Sequence, residues 1–532
     1  MLSFDLTAYP YTSQRRVCVG SRGAVATSQP LATLAGMEML LAGGNAVDAA
    51  VAMAIALTVV EPTSNGIGGD ALALVWDGRL HGLNASGRSP AQLDPAAFAG
   101  LTKMPEVGWP VVTVPGAVAA WRSLWERWGR LPFAQLFAPA LRYARDGFAV
   151  SPVTATAWQA AAARYLLLAP PEFQPFKAVF FPGDRAPRPG EVWASPAHVK
   201  TLQAIASTGG ESFYRGKLAG RLVDFAATTG GWLSAADLAN HAVAWVEPLA
   251  TTYGDLTVWE LPPNTQGLAA LLALNILQGC DLQQYPRESV ESYHLQIEAM
   301  KLAFADVYRH VADPEHMTVS PAELLAPSYA AARRALIQAE AQTFVTSGLP
   351  RGGTVYLCAA DGELMVSLIQ SNYNGFGSGI LIPDTGIALH NRGSGFSPDP
   401  DHPNAAAPNK RPFHTIIPSF FTRDGQPLGP FGVMGAPMQP QGHVQVAVNL
   451  ANYGLNPQAA LDAPRWRFLR GDRVLLESAA GAELATALGD RGHNLTLSPR
   501  YEQFGKGQII LRHGKTLVAA SEPRADGCAL AY

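Results

Sequence analysis

Charge is scarce in this sequence: Asp, Glu, Lys and Arg make up 15% of its 532 residues, against roughly 25% in an average soluble domain. The formal net charge is -3 and no Lys/Arg run stands out, so the electrostatic footprint of a nucleic-acid binder is missing. Cysteine is rarer still. Cys18, Cys280, Cys358 and Cys528 lie far apart, without a Cys-x-x-Cys pair or a His spacing that suits zinc, and without a disulfide framework. They read as small buried hydrophobes, and neither a metal nor another cofactor is expected. Long apolar runs are also absent. The most hydrophobic stretch, Ala49 to Val60, is bounded by Asp48, Glu61 and Pro62 and is too short to span a bilayer, so it reads as a buried helix. The start, Met1-Leu-Ser-Phe-Asp-Leu-Thr-Ala-Tyr-Pro, has an acid and a proline where an export signal needs a basic start and an apolar core. A cytoplasmic protein with no membrane contact is the expectation.

The familiar hydrolase signatures are missing as well. There is no Gly-x-Ser-x-Gly elbow, no His-Glu-x-x-His, and no Ser-x-x-Lys with its usual partner motifs. The Gly-rich loop Pro62-Thr-Ser-Asn-Gly-Ile-Gly-Gly-Asp70 resembles a phosphate loop only loosely, because no strand leads into it and no Gly-Lys-Ser/Thr follows. A nucleotide-dependent enzyme has little else to support it.

What is present is abundant glycine (51) and proline (41) and enough chain for two domains or one large layered domain. Gly23 to Pro30 reads as a strand and turn, followed by helices at Ala32 to Leu41 and from Asn45. From Pro115 to about Pro327 the pattern is mainly helical, with an amphipathic stretch at Ser292 to Val311. From Gly352 the texture changes. Thr354 to Ala360, an Asp361-Gly362 turn and Met365 to Gln370 predict a hairpin. Further strands are expected at 379–383, 414–421, 431–434 and 508–511, and a helix at 445–453.

A hydroxyl is a poor nucleophile at neutral pH unless a base takes its proton. A threonine at a chain start carries its own base, since a terminal amine titrates near ~7.7 to 8.0. Gly352-Gly353-Thr354 offers a flexible, unhindered carbonyl at Gly353 and a β-branched hydroxyl that opens a strand. Taken alone, Gly-Gly-Thr before a strand is an ordinary turn.

The surrounding text changes that reading. Gly43-Gly-Asn-Ala-Val-Asp-Ala-Ala50, Val114-Pro-Gly-Ala117, Ala144-Arg-Asp-Gly-Phe148, Glu298-Ala-Met-Lys-Leu-Ala-Phe-Ala-Asp306, Pro408-Asn-Lys-Arg-Pro412 and Ser521-Glu-Pro-Arg-Ala-Asp-Gly527 occur in family order, and together they resemble the γ-glutamyltransferase family over nearly the whole chain. The resemblance implies an N-terminal-nucleophile hydrolase, an α+β four-layer αββα sandwich made as one precursor. Self-cleavage between Gly353 and Thr354 would give a large, mostly helical subunit with core strands (1–353) and a small, β-rich one (354–532) that share one domain. It also leaves room for a dimer of such two-subunit units. The partner is a small-molecule amide.

By the same resemblance, Gln370 and Asn372 occupy the places of a threonine and an asparagine that hold the nucleophile. Asn372 fits the family and Gln370 departs, its amide either bonding Thr354 or only satisfying loop backbone. The family's oxyanion donors are two adjacent backbone N–H groups in a Gly-Gly turn. Here the turn reads Gly435-Ala-Pro-Met-Gln-Pro-Gln-Gly-His443; Pro437 and Pro440 have no N–H, which leaves Met438 and Gln439.

The acyl pocket departs further. Ser86 stands at the family's carboxylate-binding arginine, and Arg88, two residues on, either reaches the same space or faces solvent. After Asn391, Arg392 and Gly395 replace the groups that bind the substrate's α-amine, so an ammonium would find no carboxylate there and Arg392 can clamp a carboxylate instead. The family's paired serines are His414 and Thr415. Thr415 keeps a hydroxyl, while His414 either tunes the site by protonation or simply packs. These changes favour a glutaryl-type acyl group over glutathione. The tract Phe396 to Pro412 is shorter than a lid-bearing version, which favours hydrolysis over transfer. A non-catalytic homologue that stays uncut is the competing expectation.

Overall fold

The structure, a computed structural model, describes residues 15–343 and 353–532; the N-terminal stretch read above and Gly352 lie outside them. Two seven-stranded sheets form its centre. The first runs, edge to edge, through Cys528–Ala531, Ala24–Thr27, Gly353–Ala360, Met365–Tyr373, Asp70–Trp76, Leu80–Asn84 and Ala244–Val246. The second runs through Cys18–Gly20, Thr516–Ser521, Lys506–His513, Gln426–Met434, Ser419–Arg423, Leu256–Glu260 and Leu249–Tyr253.

Strand side chains alternate between faces, and here the alternation sorts them into separate cores. Val355, Leu357 and Ala359 face a core shared with the helices Pro30–Leu41 and Ala46–Val60. Tyr356, Cys358 and Ala360 face the opposite way and meet Phe420, Met434, Ile510 and Ala519 of the second sheet. Beyond that sheet, Val258, Phe421, Phe431 and Val433 pack under the helices Gly267–Leu277, Val290–His310 and Met438–Ala451. The result is the four-layer αββα sandwich of the N-terminal-nucleophile hydrolases. Strands from before and after Gly353 interleave in both sheets, so neither part can close a sheet without the other.

Local chemistry explains the elements nearest the centre. Asn45 caps the helix Ala46–Val60 through the N–H groups of Val47 and Asp48, while Asp48 reaches back to the Asn45 N–H, a reciprocal cap. Every residue of that helix is buried, and its run of alanines allows close approach on all sides. At the hairpin turn the Asp361 carboxylate accepts from the N–H groups of Glu363 and Leu364 at 2.7 and 2.8 Å. Its other oxygen accepts from Ala46 N–H at 2.7 Å, tying the hairpin to the helix.

The mainly helical stretch also supplies core strands, Ala244–Val246 to the first sheet and Leu249–Tyr253 and Leu256–Glu260 to the second. The structure corrects two of the element assignments. Residues 379–383 form only an isolated bridge between Leu381 and Ala388, since Gly379 sits at φ 78 and Pro383 has no N–H to offer a ladder. The 414–421 strand begins only at Ser419, after Pro418. No helix of the described residues is long and apolar enough to cross a membrane.

Candidate active site

Thr354 is the second residue of its strand and is 1% exposed. In the hairpin, Ala360 pairs with Met365 and the register holds back to Val355 opposite Gln370. It then shifts, so that Ser371 and Asn372 together face Thr354 and Gly353 pairs with Tyr373. This bulge places Ser371 on the inter-sheet face beside Thr354. The Thr354 and Ser371 hydroxyls are 3.1 Å apart, Ser371 Oγ donates to the Gly353 carbonyl at 2.9 Å, and it accepts from Tyr373 N–H at 2.7 Å.

Gln370 points to the other face. It accepts from Trp121 Nε1 at 2.8 Å and donates to Asn65 Oδ1 at 2.6 Å and Ala54 O at 3.2 Å, so its amide ties the sheet to the helical layer and makes no bond to Thr354. Asn372 donates to Phe376 O at 3.2 Å, closing the loop after the strand, and its Oδ1 has no hydrogen-bond partner among the described residues. Ser371, not either amide, is the side chain against the threonine.

The second half of the site surrounds Asp70, which pairs with Ser371 on the neighbouring strand and is fully buried. Asp70 Oδ2 accepts from His414 Nε2 at 3.0 Å, with Arg392 Nε at 3.7 Å, while Oδ1 lies 3.7 Å from His390 Nε2 and 3.4 Å from the Gly87 N–H. Burial alone would raise the Asp70 carboxyl, but His390, His414 and Arg392 hold it well below its usual range. Burial pushes His414 down to about 3, lowers His390, and brings Arg392 to about 10. At neutral pH the centre is therefore an ionised Asp70, a charged Arg392 and two neutral imidazoles.

Its donors are incompletely used. Arg392 Nη1 donates to Thr415 Oγ1 at 2.9 Å, but Nε and Nη2 have no hydrogen-bond partner among the described residues. His390 Nδ1 accepts from Arg392 N–H at 3.0 Å, which leaves the proton on Nε2, and Nε2 has no hydrogen-bond partner either. Buried donors left unpaired cost about 1 to 3 kcal/mol each. An anion seated among them would remove that penalty.

The remaining predicted residues fall outside this cluster. Arg88 is one-third exposed and pairs with buried Asp313 at 2.9 Å and exposed Glu315 at 3.3 Å, so it joins these acids rather than the Asp70 centre. The Asn391 side chain donates to Glu106 O at 2.7 Å and accepts from Asn374 N–H at 3.0 Å; it shapes the loop that carries Arg392. Met438 and Gln439 open the helix Met438–Ala451, and their N–H groups close turns onto Gly435 O and Ala436 O at 3.0 and 3.1 Å. Ala436, just before this turn, holds φ 53, a conformation uncommon for a residue with a Cβ.

Among the described residues one group, His294, Glu298 and His493, has metal-ligating donors within 4.8 Å of one another. Its atoms are already engaged: the imidazoles bond each other at 2.9 Å, His294 Nε2 bonds Gln338 O, and buried Lys301 neutralises Glu298 at 2.7 Å. A divalent cation would have to enter beside that ammonium, against its charge.

An αββα sandwich with a strand-opening threonine buried between its sheets defines the class, a hydrolase of the N-terminal-nucleophile fold. The chain belongs to the gamma-glutamyltranspeptidase family, whose sequence profile matches residues 32–532. Cephalosporin acylase from Bacillus halodurans, a solved structure, shares 50% identity, covers 100% of this chain and 99% of its own, and superposes with a TM-score of 0.96. The oxamate amidohydrolase proenzyme of Klebsiella pneumoniae is 35% identical over 97% of this chain and 99% of its own length. A glutathione hydrolase-like proenzyme of Bacillus subtilis is 33% identical over 96% and 99%. The relatives are thus hydrolases and acylases, several of them made as proenzymes.

Proposed function

We propose that the chain is a self-processing amidohydrolase that cleaves amides whose acyl group ends in a carboxylate. The observation that carries the substrate reading is the trio of buried donors without a hydrogen bond, Arg392 Nε and Nη2 and His390 Nε2, of which Arg392 Nε and His390 Nε2 lie 3.7 Å from Asp70 and the guanidinium lies over the ring of Tyr373. A planar carboxylate matches the fork of a guanidinium. The names of the relatives are in keeping with this chemistry: oxamate is itself an amide that bears a carboxylate.

In this reading, cleavage before Thr354 separates 1–353 from 354–532 and frees the threonine's amine. The amine takes the hydroxyl proton as Oγ attacks the amide carbon. The N–H groups of Met438 and Gln439, at the positive end of their helix, receive the oxyanion once they leave the Gly435 and Ala436 carbonyls that they bond in the uncut chain. The substrate's amine leaves with a proton, and water then hydrolyses the Thr354 ester, releasing the dicarboxylic acid.

Asp70 favours a second reading, since its carboxylate can receive the α-ammonium of a γ-glutamyl group. The first is preferred because both Asp70 oxygens already face donors, His414 Nε2 and the Gly87 N–H. Rates on glutaryl, γ-glutamyl and unsubstituted butyryl anilides separate the two. Glutaryl preference is expected, and γ-glutamyl preference overturns the choice.

A further inference from the structure

We infer that Gln266 is a positioning residue for amide cleavage, the side chain that lets the Gln439 N–H turn to the oxyanion; the inference rests on the function proposed above. Gln266 ends the turn Pro262-Pro-Asn-Thr-Gln and stands at the N-cap of the helix Gly267–Leu277. Its backbone is held by the loop of the acyl pocket. Gln266 N–H donates to His414 O at 2.9 Å, and His414 N–H donates to Asn264 O at 2.8 Å. From this fixed start the fully buried side chain reaches two carbonyls, Nε2 donating to Thr415 O at 2.5 Å and to Ala436 O at 2.8 Å. Oε1 has no hydrogen-bond partner among the described residues. Turning the amide over would set that oxygen against two carbonyl oxygens, so the place of the nitrogen is fixed.

The two carbonyls belong to the two ends of the site. Thr415 lies at the carboxylate end, where its hydroxyl accepts from Arg392 Nη1 at 2.9 Å. Ala436 lies at the oxyanion end; it is 1% exposed, and its carbonyl also accepts from Gln439 N–H at 3.1 Å. A carbonyl oxygen has two lone pairs, and here each has a donor. When the Gln439 N–H turns to the oxyanion, the shorter bond from Gln266 stays and the buried carbonyl keeps a partner. Without Gln266 the same movement strands that carbonyl, which disfavours the step by roughly 5- to 150-fold. The Gln439 side chain holds its residue in place, with Oε1 accepting from Ile417 N–H at 3.0 Å. Gln266 thus acts through Ala436 and Gln439 and exchanges no proton.

The test compares the cut wild type with cut Gln266→Met by steady-state kinetics on glutaryl and butyryl anilides, counted per free Thr354. Methionine keeps the reach of the side chain and offers no donor. The expected result is a kcat about 10- to 100-fold lower, by the same factor on both anilides, with KM for the glutaryl anilide little changed. A merely structural role would lower the yield of cut protein or its melting temperature and leave kcat per cut molecule alone, and that result overturns the inference. So does a loss confined to the glutaryl anilide, because Gln266 would then act only through Thr415 on the acyl carboxylate. If Gln266→Met fails to fold, a crystal structure of the cut wild type with a carboxyalkyl boronic acid on Thr354 decides. Gln439 N–H on the boronate oxygen, with Gln266 Nε2 still on Ala436 O, is expected; Gln439 N–H still on Ala436 O contradicts it. A wild type inactive on every anilide overturns the proposed function, and this inference with it.

Discussion

Arg392 holds its guanidinium over the ring of Tyr373, 4.2 Å from the centroid, and Tyr373 is the residue paired with Gly353 across the hairpin. A cation over an aromatic face is attracted by the ring quadrupole, the more so where water is excluded. The contact also ties the proposed anion-binding pocket to the strand paired with Gly353.

If that pocket binds the acyl carboxylate, replacing Arg392 by Met should lower kcat/KM for a glutaryl anilide by roughly 10- to 150-fold, the loss of one charged hydrogen-bonding partner. Activity on a butyryl anilide should change far less. Arg392→Lys should recover little, because an ammonium cannot reproduce the two-pronged geometry. Steady-state kinetics on the two anilides measure the difference.

Gln370 gives the opposite outcome. Its amide satisfies Trp121, Asn65 and the Ala54 carbonyl, so Gln370→Met should destabilise the fold by about 1 to 3 kcal/mol through the polar groups it strands. Turnover per folded molecule should be nearly unchanged. Chemical denaturation and active-site-normalised rates check both halves.

Stability should fall on acidification through the depressed histidines. Burial pushes His198 and His241 down to about 4 and His414 to about 3. Between an ordinary histidine value near 6.5 and these depressed values, the unfolded chain binds protons that the folded chain refuses. Each histidine therefore contributes stability that is present above pH 6.5 and is lost as pH falls toward 4, by up to about 1.4 kcal/mol per pH unit. Asp70, held below its usual range, adds a further loss below about pH 4. Melting temperatures across pH 7.5 to 4 should decline, and His198→Gln should flatten the decline.

Much of the architecture was legible because it is local. The Asn45 cap, the alanine-rich buried helix and the Asp361-Gly362 turn each announce themselves within a few residues. Ser371 was legible too, and the turn was the signal. Counting outward from Ala360 opposite Met365 sets Thr354 against Ser371, and side-chain alternation then sends Gln370 to the far face. Alignment to family positions hid this, since it matches residue types without regard to register. The Asp70 centre was not legible. His414 lies 344 positions from Asp70, and no periodicity links a strand start to two distant loops. The surroundings of Arg88 were not legible for a related reason: the acids that pair with it, Asp313 and Glu315, come from a segment with no motif of its own.

The central claim is that Thr354 becomes a chain start, and N-terminal sequencing with intact-mass measurement of the purified protein tests it most directly. The account predicts two fragments, one ending at Gly353 and one beginning Thr-Val-Tyr-Leu, and a single uncut chain of 56.4 kDa for Thr354→Ala. An active wild-type preparation that retains only the full-length chain would contradict it.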